Sequence, residues 1–446
     1  MSKHRRERRS PDLKASVAVI PAALLGLIGG AEIAIHVTLT GHRLHPNLPA
    51  YGYAVLAFLA LKLGLAILYR PPPRRRDLGL EVAAIITVHN EDPVAFGRCL
   101  KSLLGQTRPP QELTVVDDGS DAADCLRLAR SYTSAFEQLG VRYRVVAHDR
   151  NLGKREGLAN GFRAAWQADV YLCVDSDTEL KSTALEKAIA YFSDPSVQGV
   201  TGAVLASNWD TNFLTRLIDL RYANAFLGER AAYSAVGSVL CECGSLALYR
   251  GEVVRKYLDD FVHQRFLGQQ CTYGDDRRLT YYCLREGRVL LAPDAVAWTV
   301  VPERMDHFLR QQLRWSKSFI RESWCMLTSM PATRMPWWLS LLEVTTWAAF
   351  TSALLYTLVA RPLITGQLSA ASYLAATLLL AYARSGHYFR AEHANLGRFT
   401  RLVTFALAPV YGLIHMILLL PLRLVAVLTL RDNSWGTRTT VEVRAT

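Results

Sequence analysis

Val115-Val116-Asp117-Asp118-Gly119-Ser120 decides how this chain is read. An apolar, β-rich run, 113–117, stops abruptly at two carboxylates, a glycine and a serine. Short apolar runs of this kind are strands buried on both faces, and Asp-Gly-Ser is turn chemistry. The pattern recurs on either side. Residues 82–88 lead into His89-Asn90-Glu91, 142–147 precede Asn151-Leu152-Gly153-Lys154-Arg155, and 170–174 lead into Asp175-Ser176-Asp177. Helical patterns at 93–104, 121–138, 155–167 and 182–192 separate these runs. Strands alternating with helices predict an α/β domain on a mostly parallel sheet. Ligands of such sheets bind beyond the carboxyl ends of the strands, so Asp117, Asp118, Asp175 and Asp177 are expected around one crevice.

Outward from this block the composition changes. The chain has 446 residues, too many for one ordinary domain. Its apolar residues gather at the two ends. Runs at 15–39, 50–69, 337–360 and, barely, 368–384 are long enough to cross a hydrocarbon core of about 30 Å. A longer run, 402–430, is interrupted by Pro409, Pro421 and Arg423. The first run is too long for a signal peptide and is followed by a second span, so it reads as a retained helix. The net charge of +12 raises the possibility of nucleic-acid binding, but its placement argues against that. Lys3, Arg5, Arg6, Arg8, Arg9 and Lys14 precede the first span and Arg70, Arg74, Arg75 and Arg76 follow the second, while only Arg43 lies between. That asymmetry puts the N-terminus and the central block in the cytosol and leaves membrane lipid, not nucleic acid, as the partner of the basic tail. Glu32 and Lys62 fall inside apolar runs, where charge is costly and faces a bundle interior or an aqueous path. The eight cysteines all lie in the cytosolic block without zinc-finger spacing, so neither disulfides nor a structural zinc site is expected.

Asp175 and Asp177, two apart beyond a strand, suit a hard divalent cation that shares its oxygen ligands with phosphate. Carboxylates so spaced fit a metal-bound sugar nucleotide. His89, Asn90, Glu91 and Asp118 stand where a base and ribose would lie, although turn and cap chemistry accounts for such residues equally well. Lys154 and Arg155 open a helix, a favourable place for phosphate. Gly274-Asp275-Asp276-Arg277 offers Asp276 as a general base beside a second carboxylate, Asp275. Gln311-Gln312-Leu313-Arg314-Trp315 supplies a fixed cation and a flat ring. It lies in 303–336, where apolar and basic residues alternate at helical spacing as on a membrane-surface helix.

These motifs, together with Cys241-Glu242-Cys243-Gly244-Ser245-Leu246, Pro409-Val410-Tyr411-Gly412, Pro421-Leu422-Arg423 and Trp435-Gly436-Thr437-Arg438, resemble the processive family 2 glycosyltransferases of GT-A fold: the hyaluronan, chitin and cellulose synthases. The resemblance spans roughly residues 82–438. Gly274-Asp275-Asp276 and the closing Trp435-Gly436-Thr437 are similar to the hyaluronan form; Glu242, and Ser245 where Pro is frequent, depart from it. The resemblance implies UDP contacts from Asp118 and Lys154, Mn2+ or Mg2+ on Asp177 with Asp175 beside it, and Asp276 as base. It implies that Gln311, Arg314 and Trp315 hold diphosphate and acceptor sugar, that Cys243, Gly244 and Ser245 line the acceptor site, and that Trp435, Gly436 and Thr437 close on the nucleotide.

The implied plan is a basic tail (1–14), a transmembrane hairpin (15–69), a cytosolic GT-A domain (70–302), interface helices (303–336), a C-terminal transmembrane region (337–430) and a cytosolic tail (431–446). For Trp435 to reach the nucleotide, 402–430 is expected to be a hairpin or re-entrant pair, bent near Pro409–Gly412 or Pro421. The implied protein is a multi-pass plasma-membrane enzyme that polymerises UDP-GlcNAc and UDP-GlcA and secretes the growing polysaccharide without an obligatory protein partner. The alternative is a chitin or chitooligosaccharide synthase using UDP-GlcNAc alone.

Overall fold

A computed structural model describes residues 60–72, 79–355, 359–366, 381–393 and 396–432. The expected span 15–39 with Glu32, and the closing Trp435, Gly436 and Thr437, lie outside the described residues.

The described residues form ten strands: β1 (Val82–Val88), β2 (Glu112–Asp117), β3 (Arg142–Ala147), β4 (Val170–Asp175), β5 (Thr178–Leu180), β6 (Val197–Ala206), β7 (Ala247–Arg250), β8 (Arg265–Phe266), β9 (Gln269–Gln270) and β10 (Arg288–Thr299). β8 and β9 form a separate hairpin. The other eight make one sheet in the order β3-β2-β1-β4-β7-β6-β10-β5. β1 pairs in parallel with both β2 and β4, with Val88 opposite Asp117 and Thr87 opposite Asp175. The carboxyl ends of three strands are therefore level, and the residues that follow them open onto one crevice. Two strands break the parallel rule. β7 is antiparallel to β4 and β6, and β5 is antiparallel to β10. The sheet is mostly parallel, as the continuous apolar runs predict, and all of β1 and β2 is buried.

The helix α1 (Pro93–Leu104) starts at an Asp92 cap, with Pro93 in its first turn. The single helix expected over 121–138 is instead two, α2 (Asp124–Ser131) and α3 (Thr133–Gln138). The hydroxyl of Thr133 takes the Arg130 carbonyl, and such local bonding competes with helix continuation. α4 (Lys154–Ala164) lies against β1 and β2. α5 (Phe213–Ala223) opens with a capping box between Asn212 and Thr215. α6 (Asp275–Glu286) follows Gly274, which has φ +80°. α7 (Met305–Ser329) is the expected amphipathic helix, but its orientation differs from the expectation. Lys317 and Arg321 are buried against the α/β domain, while Trp315 and Trp324 are exposed.

The expected span 337–360 corresponds to helix α8 (Met335–Leu355). Among the described residues, one helix, α9 (Arg398–Leu428), is long and apolar enough to cross a membrane. The hairpin expected there is not formed. The segment is one helical run with a turn residue at Leu407 and a π-helical stretch at His415–Leu419. Pro409 and Pro421 sit in the first turns of its segments, where a missing amide is tolerated. Both flanks of α9 return to the α/β domain. Before it, Tyr388 and His393 bond to Asp219 of α5 at 3.0 and 2.9 Å. After it, the Asp432 carbonyl accepts from Lys317 of α7 at 3.1 Å. Residue 432 therefore reaches the catalytic side without the chain folding back on itself.

The packing of α4 on β1 rests on Gly161, where a Cβ would stand 2.3 Å from the Ile85 side chain. Gly161→Val is expected to lower stability by about 1–3 kcal/mol through overpacking, read as a fall in the thermal unfolding midpoint.

Candidate active site

Asp117 and Asp118 leave the same strand end and do different work. Asp117 accepts from the amide and hydroxyl of Ser120, closing the turn. Gly119 has φ +66°, and a Cβ there would stand 2.3 Å from the Arg150 backbone, so only glycine allows the two loops to meet. Asp118 accepts from His148 Nδ1 at 2.9 Å and from the amides of Leu152 and Gly153, each at 2.8 Å. Asp118, expected at the nucleotide, thus also clamps the turn that aims Lys154. His89 is held by Asn151 at 2.8 Å behind this turn. Asn90 adopts the left-handed region (φ +47°), fixed by reciprocal 2.9 Å bonds with Asp121.

A cavity of about 350 Å³ opens at the level strand ends. Asn90, Glu91, Lys154, Asp175 and Asp177 line it from the sheet; Cys243, Gly244, Ser245, Asp275 and Asp276 line it from the loop before β7 and from α6; Gln311, Arg314 and Trp315 line it from α7. Neither His89 nor Asp118 is part of this wall. Arg155, expected beside phosphate, turns away and donates to the carbonyls of Phe261 and Tyr273.

Within the cavity, Lys154 Nζ lies 2.6 Å from Asp175 and 3.5 Å from Asp275. The other oxygen of Asp175 accepts from Ser245 at 3.1 Å. A side chain at Gly244 would reach 3.2 Å from Asp175. Asp175 thus joins Lys154, at the start of α4, to the loop before β7. Asp177 accepts from Thr299 at 3.0 Å, which orients its carboxylate at the cavity edge. Among the described residues no group of three or more His, Cys, Asp or Glu side chains forms a metal cage. One oriented carboxylate fits a cation whose other ligands come from phosphate and water.

Asp276 lies in the first turn of α6, with one oxygen on the Arg277 amide at 2.8 Å and the other 3.4 Å from the Cys241 thiol. Burial pushes its carboxyl above the ordinary range, Asp275 adds to that, and Arg277 opposes it. A carboxyl with a raised pKa, facing a cavity that also holds a flat ring, has the chemistry to take a proton from a hydroxyl.

Several lining residues have no motif to announce them. Tyr222 of α5 lies 6.4 Å from the Trp315 ring, and Glu229, Arg230, Tyr233 and Thr299 share the wall. Beyond Trp315 a second cavity of about 360 Å³ continues between α7, α8 and α9, with Arg221, Glu229, Trp315, Phe319 and Glu343 lining both. Lys62 pairs there with Glu343 at 2.6 Å. The interior role expected of Lys62 is met, and the same rule, a charge within an apolar run, would have found Glu343.

Residues 80–318 match the family described as Glycosyltransferase like family 2. A hyaluronan synthase of Streptococcus pyogenes is 35% identical over 395 residues, covering 88% of this chain and 91% of that protein. An N-acetylglucosaminyltransferase of Neorhizobium galegae is 36% identical over 295 residues, 65% of this chain and 66% of its own. Among solved structures, a mannosyltransferase from Pyrobaculum calidifontis in complex with GDP-Man and Mn2+ superposes with a TM-score of 0.50 at 17% identity, over 91% of this chain and 99% of that one. The shared fold is GT-A-like.

A base must be deprotonated to act, so turnover is lost as pH falls through its raised pKa. Asp275→Asn removes a raising charge and is expected to move the acid limb of kcat/KM to lower pH. Arg277→Gln is expected to move it upward. Profiles that coincide with the parent's would remove Asp276 from control of that limb.

Proposed function

The chain belongs to family 2 of the glycosyltransferases, with hyaluronan synthases among its relatives, and we propose that it is itself a membrane-embedded hyaluronan synthase. In this reading it joins GlcA and GlcNAc alternately from UDP-GlcA and UDP-GlcNAc and passes the growing polysaccharide outward between its apolar helices. The observation that carries it is one cavity gathering Asp177, Asp276 and the Gln311, Arg314 and Trp315 cluster, adjoined at Trp315 by a second cavity between helices.

Asp177, oriented by Thr299, is the residue to hold Mn2+ or Mg2+, which when bound offsets the charge of the departing diphosphate. Lys154 and Arg314 flank the diphosphate from opposite walls, and Asn90 and Glu91 border the nucleoside end. The acceptor ring rests on Trp315, with the loop Cys243–Ser245 along its edge. Asp276 takes the proton from the acceptor hydroxyl as that oxygen attacks the anomeric carbon opposite UDP, which inverts the configuration there. Trp435, Gly436 and Thr437 follow Asp432 and serve the nucleotide end. The enzyme is an integral, multi-pass plasma-membrane protein with a cytosolic catalytic domain; its partners are the two UDP-sugars, the polymer and membrane lipid.

Purified protein in nanodiscs with Mn2+ is expected to release UDP steadily only when both donors are present, giving a polymer sensitive to hyaluronan lyase. Asp276→Asn is expected to lower turnover by about 10²–10⁴-fold. The competing reading, a chitooligosaccharide synthase, draws on the N-acetylglucosaminyltransferase relative, of which the match covers 66%. A lyase-resistant, chitinase-sensitive polymer from UDP-GlcNAc alone would establish it instead.

A further inference from the structure

Lys317 and Arg321 stand one turn apart on α7, turned inward and only 5% and 2% exposed. Two buried cations on one helix face are costly unless each is paired. Lys317 is met by Asp432, just beyond the end of α9, through its carbonyl at 3.1 Å and its carboxylate at 3.4 Å. Arg321 donates to the Tyr273 carbonyl, pairs with Glu322 at 2.9 Å and lies 4.8 Å from the centre of the Tyr273 ring.

Tyr273 is thereby held from three directions. Its carbonyl also receives the buried Arg155 at 3.2 Å, and its hydroxyl lies 3.5 Å from the Asp432 carbonyl. The next residue, Gly274, occupies the left-handed region and leads directly into Asp275 and Asp276. A side chain at Gly274 would strike Ser318 and Arg321, at 2.3 and 2.5 Å. The first turn of α6 therefore cannot shift independently of α7, and α7 is tied by Lys317 to the end of the apolar helix.

We propose that Lys317 and Arg321 are positioning residues forming one relay, in which anchoring of the chain at Asp432 sets the place of Gly274 and hence the aim of Asp276. The inference rests on Asp276 being the base. Neither cation touches the reacting atoms. Loosening the anchor lets α7 move, which misdirects the base and carries Arg314 with it, while Lys154, Asp175 and Asp177 keep their place on the sheet side of the cavity. The relay thus acts on kcat, with a smaller rise in donor KM through Arg314.

The test is a double-mutant cycle on full-length protein in nanodiscs, using Lys317→Met, which removes both contacts to Asp432, and Arg321→Lys. Each single variant is expected to lower kcat about ten- to a hundredfold, as small misplacements of a catalytic group do, with a smaller rise in KM for both UDP-sugars. The double variant is expected to be no slower than the slower single, because a relay broken once is not broken further. Losses that multiply, or a raised KM at unchanged kcat, would overturn the relay. If Arg321→Lys does not fold, Tyr273→Phe takes its place in the cycle. Retained synthesis by Asp276→Asn would instead overturn the base assignment, whereas a dead Asp276→Asn with multiplying losses overturns the relay alone.

Discussion

Four carboxylates, Asp175, Asp177, Asp275 and Asp276, meet at one cavity, and like charges so placed repel. The Lys154 ammonium, 2.6 Å from Asp175 and 3.5 Å from Asp275, makes that arrangement tenable before any substrate arrives. Its position depends on a sequence of local constraints. Gly119 lets the β2 turn approach the Arg150 loop, Asp118 then gathers the amides of Leu152 and Gly153, and α4 begins with Lys154 pointing into the crevice. The acceptor loop is added to the same unit through the Ser245 bond to Asp175. Donor wall, acceptor loop and base helix are thus joined around a single cation.

Much of this was legible in the residues. β1 begins and ends where its apolar run does, because a strand covered on both faces leaves an unbroken hydrophobic signature; the bounds of β3 also match, although it is a partly exposed edge strand. The level strand ends, and with them the meeting of Asp175 and Asp177, follow from alternation of strand and helix, whereas Asp117 and Asp118, expected at the same crevice, stay behind its wall. What the residues do not carry is the direction in which a side chain turns once its loop closes. Asp118 and Arg155 have the right chemistry for a nucleotide, yet Asp118 gathers the amides of Leu152 and Gly153, and Arg155 the carbonyls of Phe261 and Tyr273. The cavity wall from α5 escaped because Tyr222 and Arg221 lie inside a helix, away from any strand end or glycine turn, and its one carboxylate, Asp219, holds Tyr388 and His393.

The cationic face of α7 illustrates the same limit. Basic residues among apolar ones read as a helix lying on a charged surface, with the cations outward. Here the cations find their partners inside the protein, in Asp432, Tyr273 and Glu322, and the outward face carries Trp324 instead. Periodicity defines which residues share a face; it does not say what that face meets.

One feature of the sheet reaches beyond the chemistry. β7 enters between β4 and β6 in the opposite direction to both. Residues that handle the donor come after parallel strands, whereas Cys243, Gly244 and Ser245 come before an antiparallel one. The two halves of the site therefore hang from the sheet on separate stretches of chain that arrive from opposite ends. The loop before β7 is thereby free of the turns after β1 and β2 along the chain and meets the end of β4 only through side chains, as Ser245 does on Asp175. A fold wired in this way lets one rim of the cavity be redrawn at the cost of a single contact while the strand ends that frame it stay level.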